Sequence, residues 1–146
     1  TGAAEYLGRL LPSAVGELSI GGARLHVLLV HPPPPVSGEA LAMQLDQVAA
    51  IAARAASSAP TIVLGDLNAT PWSRPFAALR DGSGLCDSRA GFGIQASYPA
   101  ASAVLRIPID HLLASCSIGV RDRRIGRDVG SDHLPVLLEL VVPRAP

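Results

Sequence analysis

Between Gly38 and Ser57 the apolar positions Leu41, Leu45, Val48, Ala52 and Ala55 recur at intervals of three and four, which puts them on one face of a helix. A helix with a single apolar stripe must lie on something, and the flanking segments read as the sheet it needs. Glu17 to Ile20 and Ala23 to His31 are strands around Gly21-Gly22, a pair that supplies positive φ cheaply and predicts a tight hairpin ending at His31. Pro32 to Pro35 cannot donate ladder hydrogen bonds and form a stiff lead into the helix, which Pro60 ends. Thr61 to Leu64 is a short, continuous apolar run of the buried-strand type. Gly65 is expected to break this strand, so that Asp66 opens a loop.

Further along, Trp72 to Leu79 predicts a short helix, and a Gly-rich irregular stretch to Ala103 is long enough to suggest a functional loop region. Ile109 to Ser115, Ile118 to Ile125 and Leu134 to Val142 read as three more strands, with Gly126 to His133 connecting the last two. There is no internal repeat and no sign of a second domain, so residues 1–146 are read as one α/β domain. A 49% hydrophobic and 16% charged composition excludes a disordered chain.

Twelve acidic residues balance twelve basic ones, so no global positive field draws the chain to polyanions, which argues against a general nuclease. Every basic residue is Arg. Arg121, Arg123, Arg124 and Arg127 cluster locally; guanidinium groups suit phosphate, but the simpler reading is a solvated strand and turn. Cys86 and Cys116 do not make a zinc knuckle or a CxxC pair. They are expected as buried free thiols, with pairing the alternative in an exported protein. No apolar run approaches the ~18 residues needed to span a bilayer. Thr1 to Arg9 shows no targeting pattern, and the chain's start reads as a cut within a longer protein.

Three constellations sit at strand ends: Gly65-Asp66-Leu67-Asn68, Asp110-His111, and Ser131-Asp132-His133. Carboxylates such as Asp66 and Asp132 are hard oxygen donors suited to Mg²⁺ or Mn²⁺, which take few protein ligands and keep several waters. The four histidines do not assemble into a zinc motif. A Ser-His-Asp hydrolase built on Ser131, His133 and Asp110 is disfavoured, because there is no G-x-S-x-G elbow and Ser131 is only two positions from His133.

In this order, the stretches GDLNATPW, IDHLLAS and GSDHLPV resemble the endonuclease/exonuclease/phosphatase superfamily, from about Gly21 to Leu140. The strand ending in His31 is similar to the family's Thr-His or Val-His element. Bacterial members with N-terminal transmembrane helices look especially similar over Gly65 to Pro75 and Gly91 to Pro99, which implies a membrane-anchored parent. The resemblance implies a four-layer α/β/β/α sandwich of two mainly antiparallel sheets, here lacking its N-terminal part. It also implies divalent-metal-dependent hydrolysis of a phosphodiester or phosphomonoester: nucleic acid, inositol phosphate or a phospholipid head group.

By the same resemblance, Asp66 orients or deprotonates the attacking water and Asn68 fixes that water or a phosphate oxygen. His133 contacts the phosphoryl group or moves a proton, Asp110 holds the His133 imidazole, and His31 donates to a phosphate oxygen. Asp132, with Asp66 and Asn68, stands on the metal side, the metal being Mg²⁺ or Mn²⁺. Tyr98 falls near the substrate position, whereas His26 and His111 read as structural and Trp72 as a core anchor or a substrate platform. The family's N-terminal Asn and Glu metal ligands have no match here, since Glu5 and Glu17 lie outside the motif. Without them, the alternative is a binding module that keeps the fold around an incomplete metal site and exposes apolar sheet surface.

Overall fold

The computed structural model describes residues 2–7, 12–57 and 60–143. Thr1 and residues 8–11, over which the reading of the chain's start extends, lie outside them. Strands β1 (Gly2–Tyr6), β2 (Pro12–Ile20) and β3 (Ala23–Leu29) form an antiparallel meander turned at Gly21-Gly22, both at positive φ. Helix α1 (Gly38–Ala56) carries the chain across to β4 (Thr61–Asp66), which lies parallel to β3. Next come α2 (Arg74–Ser83), the two-residue β5 (Cys86–Asp87), β6 (Asp110–Ala114), β7 (Gly119–Ile125) and β8 (Val136–Val141). The main sheet runs β1-β2-β3-β4-β6-β5, and β7 pairs with β8 in a separate two-stranded sheet.

Both helices begin with a serine cap. Ser37 Oγ accepts the Ala40 amide at 3.1 Å, and Ser73 Oγ accepts the Phe76 amide at 3.4 Å, each satisfying a donor the first helical turn leaves unpaired. Pro75 occupies the first turn of α2, where a missing N–H costs nothing, and Gly84 closes that helix at φ 69°. The core of the helix side joins Leu28, Val63 and Leu113 from the sheet to Val48, Ile51 and Ala52 of α1 and to Phe76 and Leu79 of α2. On the opposite face, Leu25, Ile62, Leu112 and Ala114 pack with Leu138 and Leu140 of β8. The alternation of residues 62 to 64 and 112 to 114 feeds both cores, because successive side chains leave a strand on opposite sides.

The fold is therefore the expected α/β arrangement, with three of the four layers, α/β/β, formed by the described residues. The second sheet covers only part of the first. Leu18, Ile20 and Leu29, on the same face as Leu25, are about half exposed, and Ala4, Ala14, Leu18, Val27 and Leu29 line an open apolar depression of about 620 Å³.

Several expectations are corrected. Gly65 does not break β4: the ladder continues through Gly65 opposite His111 to Asp66 opposite Asp110. It does so because the glycine, at φ 148°, lets the end of β3 approach, and a Cβ there would stand 1.9 Å from the Val30 carbonyl oxygen. β3 ends at Leu29, one ladder bond beyond it being Val30 N–H to Leu64 O at 3.0 Å, so His31 follows the strand instead of ending it. The buried stripe of α1 is turned relative to the predicted one and includes Gln44 and Gln47, while Leu41 and Leu45 are only partly covered. Cys86 and Cys116 are exposed and joined in a disulfide with Cα atoms 5.1 Å apart, clamping β5 to the turn after β6. Trp72 is exposed, so it anchors no core.

Candidate active site

The antiparallel register of β4 and β6 sets Asp66 directly opposite Asp110. Two carboxylates at facing positions repel. The group placed between them is the His133 imidazole. Its Nδ1 bonds Asp110 Oδ2 at 2.7 Å, and its Nε2 lies 3.9 Å from Asp66 Oδ2. Burial alone would lower the His133 pKa, but the Asp110 hydrogen bond and the charges of Asp110, Asp66 and Asp132 outweigh it and raise the pKa. For Asp66 the pKa is raised chiefly by burial, with Asp110 adding to the rise and the Asn68 amide, His133 and His31 opposing it.

The loop after β4 is held from three sides. Asp66 Oδ1 accepts the Asn68 N–H at 2.8 Å, closing a turn that places Asn68 at φ 47°, a left-handed conformation asparagine tolerates. Gln44, fully buried on α1, donates to the Leu67 and Asn68 carbonyls at 3.0 and 3.1 Å, which explains why a glutamine occupies the helix's buried face. The Asn68 amide nitrogen donates to Pro32 O at 3.0 Å. Asn68 therefore uses one of its two N–H bonds to tie down the proline segment that follows His31.

The long irregular stretch becomes ordered by zipping to the last loop. Leu134 N–H donates to Ser97 O at 2.9 Å and Ala100 N–H to Asp132 O at 2.7 Å, so Asp132-His133 is carried to the ends of β4 and β6. Ser97, completely buried, donates from Oγ to Asp110 Oδ2 at 2.5 Å, and the Tyr98 ring lies 4.6 Å from the His133 ring. Arg123, also buried, reaches from β7 to donate to Asp110 O at 3.3 Å and to Gln95 Oε1. The predicted basic cluster is thus divided: Arg121 pairs with Glu139 and Arg124 with Asp122 at the surface, while Arg123 supports the site from behind.

One cavity of about 910 Å³ gathers His31, Asp66, Asn68, Tyr98, Asp132 and His133. Asp110 backs it through His133 and lines the adjoining pocket. His111 points away: it is buried, bonds Ala69 O at 2.8 Å through Nε2 and packs on Phe76. His26 is 3.5 Å from Glu17, remote from the site in sequence and register. Ser131 Oγ bonds Asp132 Oδ1 and the His133 amide, not the imidazole, so no serine triad forms. Ser97 and Arg123 were not foreseen as site residues. Only the polar-aromatic pair Ser97-Tyr98 preceding the Asp110 motif carried a signal.

Asp66, Asp132 and Asn68 offer hard oxygen atoms to the same cavity. Among the described residues, however, no three His, Cys, Asp or Glu side chains come together to hold a metal ion. The donor chemistry fits Mg²⁺ or Mn²⁺ and the number of donors falls short of a full protein-built site.

Residues 4–133 match the family model described as Endonuclease/Exonuclease/phosphatase family, and the chain belongs to that family. A family member from Bacteroides vulgatus has a TM-score of 0.79 at 15% identity, over 98% of this chain and 65% of its own. A mannosyl-6-phosphatase from Bacteroides thetaiotaomicron is similar with a TM-score of 0.68 at 17% identity, over 97% of this chain and 66% of its own. A 3′ phosphatase from Neisseria, bound to a product DNA hairpin, has a TM-score of 0.68 at 19% identity, over 89% and 65%. The chain thus spans about two-thirds of the length of these solved chains. No curated protein sequence matches it.

Proposed function

We propose that this chain carries the larger part of a divalent-metal-dependent phosphoesterase, hydrolysing a phosphodiester or phosphomonoester by in-line attack of water. The observation that supports this reading most is the line of bonds Ser97–Asp110–His133, aimed at Asp66 across the cavity. Ser97 and Arg123 fix Asp110. Asp110 in turn holds the imidazole with its proton on Nδ1 and favours the charged ring, leaving Nε2–H to donate to a phosphoryl oxygen. Asp66, whose raised pKa makes it a better base than an ordinary carboxylate, orients and deprotonates the water. His31, held beside the cavity by the Asn68 to Pro32 bond, adds a donor to the phosphate.

Asp66, Asn68 and Asp132 would hold Mg²⁺ or Mn²⁺, which when bound neutralises charge on the phosphoryl oxygens. We further propose that a polypeptide segment outside this chain completes the donor set and covers the apolar face at Leu18 and Leu29. The shortfall in donors keeps a second reading in view, a binding module with an incomplete metal site.

The test is hydrolysis of an aryl phosphodiester with Mg²⁺ or Mn²⁺ and with chelator, comparing this chain, a longer form of the protein, and the His133→Ala variant of whichever turns over. Metal-dependent turnover that falls on the order of 10²- to 10⁴-fold in the variant is expected. Turnover indifferent to chelator and to His133→Ala would sink the mechanism, and phosphate-ester binding without turnover in both forms would establish the binding module.

A further inference from the structure

The large apolar side chains most exposed among the described residues are not scattered. Val36, Trp72, Ile94, Val104, Leu105 and Val129 are 62% to 93% exposed, whereas no other large apolar side chain exceeds 50%. Every one of the six lies on a loop that borders the active-site cavity. Val36 follows the lining residue Pro35, and Trp72 stands between Thr70 and Ser73, both of which line it. Val104 and Leu105 crown the turn closed by the Tyr98–Ile107 bridge, with Tyr98 and Ile107 in the cavity wall. Ile94 precedes the Gln95–Tyr98 segment, and Val129 lines the adjoining pocket with His133.

Among the described residues, the loops at Gly21-Gly22 and around Ser115 to Ser117 carry no such side chain. Exposed apolar groups mark contact surfaces when they cluster. These six sit on four connections, with Val104 beside Leu105 on one turn and Pro, Gly and polar residues between the rest, so they form neither a groove for a helix nor an edge for a strand. Arg74, exposed in the cavity wall, and Arg127, exposed two residues from Val129, make no ion pair among the described residues. Their exposed neighbour Asp128 is turned onto its own loop, accepting the Gly130 N–H at 2.8 Å. Exposed apolar loop tips including a Trp, with guanidinium groups beside them that make no ion pair among the described residues, complement an interface of acyl chains and anionic phosphates.

We propose that the rim of the active-site cavity seats on an anionic lipid surface, so that the phosphate ester enters from the bilayer. The entry of substrate rests on the phosphoesterase reading; the lipid contact does not. Trp72 is the only Trp in the chain, so its fluorescence reports the contact directly. The probe is unilamellar vesicles of phosphatidylcholine with and without phosphatidylglycerol, read by Trp72 emission and by co-flotation.

The expected result is a shift of Trp72 emission to shorter wavelength and flotation with the phosphatidylglycerol vesicles. Partitioning should be at least about tenfold weaker in V104D/L105D, from the transfer free energy of one lost apolar side chain. The single changes V104D and L105D substitute if circular dichroism shows the double variant unfolded. Ile20→Gln, on the open sheet face, should float as the unaltered chain does. Unchanged Trp72 emission, equal flotation of the loop variants, or loss of flotation in Ile20→Gln would overturn the proposal. Flotation with no turnover of a soluble aryl phosphodiester by either this chain or its longer form would overturn the enzyme reading alone, and turnover without flotation the lipid surface alone.

Discussion

Gly65→Ala should damage stability and chemistry together, and the structure allows both to be sized. The added Cβ would lie 1.9 Å from the Val30 carbonyl oxygen, and carbon and oxygen need well over 3 Å, so strands β3 and β4 must part locally by more than about 1 Å. Overpacking of this kind costs about 1–3 kcal/mol, and holding a side chain at φ 148° adds about 1–3 kcal/mol. The sum, about 2–6 kcal/mol, corresponds to a fall in Tm of roughly 6–18 °C at about 3 °C per kcal/mol for a domain of this size. The residues displaced adjoin two of the proposed site residues: Val30 leads to His31, and Gly65 precedes Asp66. A misplacement of about 1 Å costs on the order of 10²-fold in rate. Thermal melting by circular dichroism, followed by kcat on an aryl phosphodiester at a temperature where the variant is folded, checks both figures. An alanine variant with the original Tm would refute the claim that this glycine is required for close approach. An unstable variant with full kcat would refute the claim that the approach positions the site.

Ser97→Ala removes the buried hydroxyl that donates to Asp110 Oδ2, a hydrogen bond to a charged group worth about 1.5–3 kcal/mol, and should lower kcat about tenfold to a hundredfold with KM little changed. Steady-state kinetics decides it, and an effect confined to KM would place Ser97 at substrate binding instead. His111 is buried with its pKa lowered, first by burial, so its folded form resists the proton that the unfolded chain takes up below the ordinary value of 6.5. Its contribution is therefore complete above pH 6.5 and is lost as pH falls below it. Urea midpoints from pH 7.5 to 5 should decline less steeply in His111→Gln, which retains a donor for Ala69 O, and parallel declines would show that His111 is not responsible.

Helix α1, the hairpin at Gly21-Gly22 and the strands at Thr61, Ile109 and Ile118 were legible because period, turn residues and prolines are local signals. β1 was not anticipated, and β2 was foreseen only in its second half, because small residues such as Ala14 and Gly16 carry little periodic contrast. Gly65 misled for a related reason: a glycine in a strand signals either an end or a close approach, and only the position of Val30 distinguishes the two. The disulfide likewise depended on β5 and the turn after β6 meeting in space, which two cysteines 30 positions apart do not announce.

What the sequence by itself determined was which groups are candidates for the site. Asp66, Asn68, Asp110, Asp132 and His133 stand in short motifs at the ends of strands, and the types of atom they offer follow from their chemistry alone. Only the tertiary structure decided what those groups do to one another. The β4–β6 register sets Asp66 against Asp110, and the zipped loops put His133 between them. Buried Ser97 and Arg123 then lock Asp110, Arg123 from a position that no motif marks. Electrostatic coupling depends on distances of a few ångströms between residues far apart in the chain, and those distances exist only once the sheet, the helix and both loops have packed.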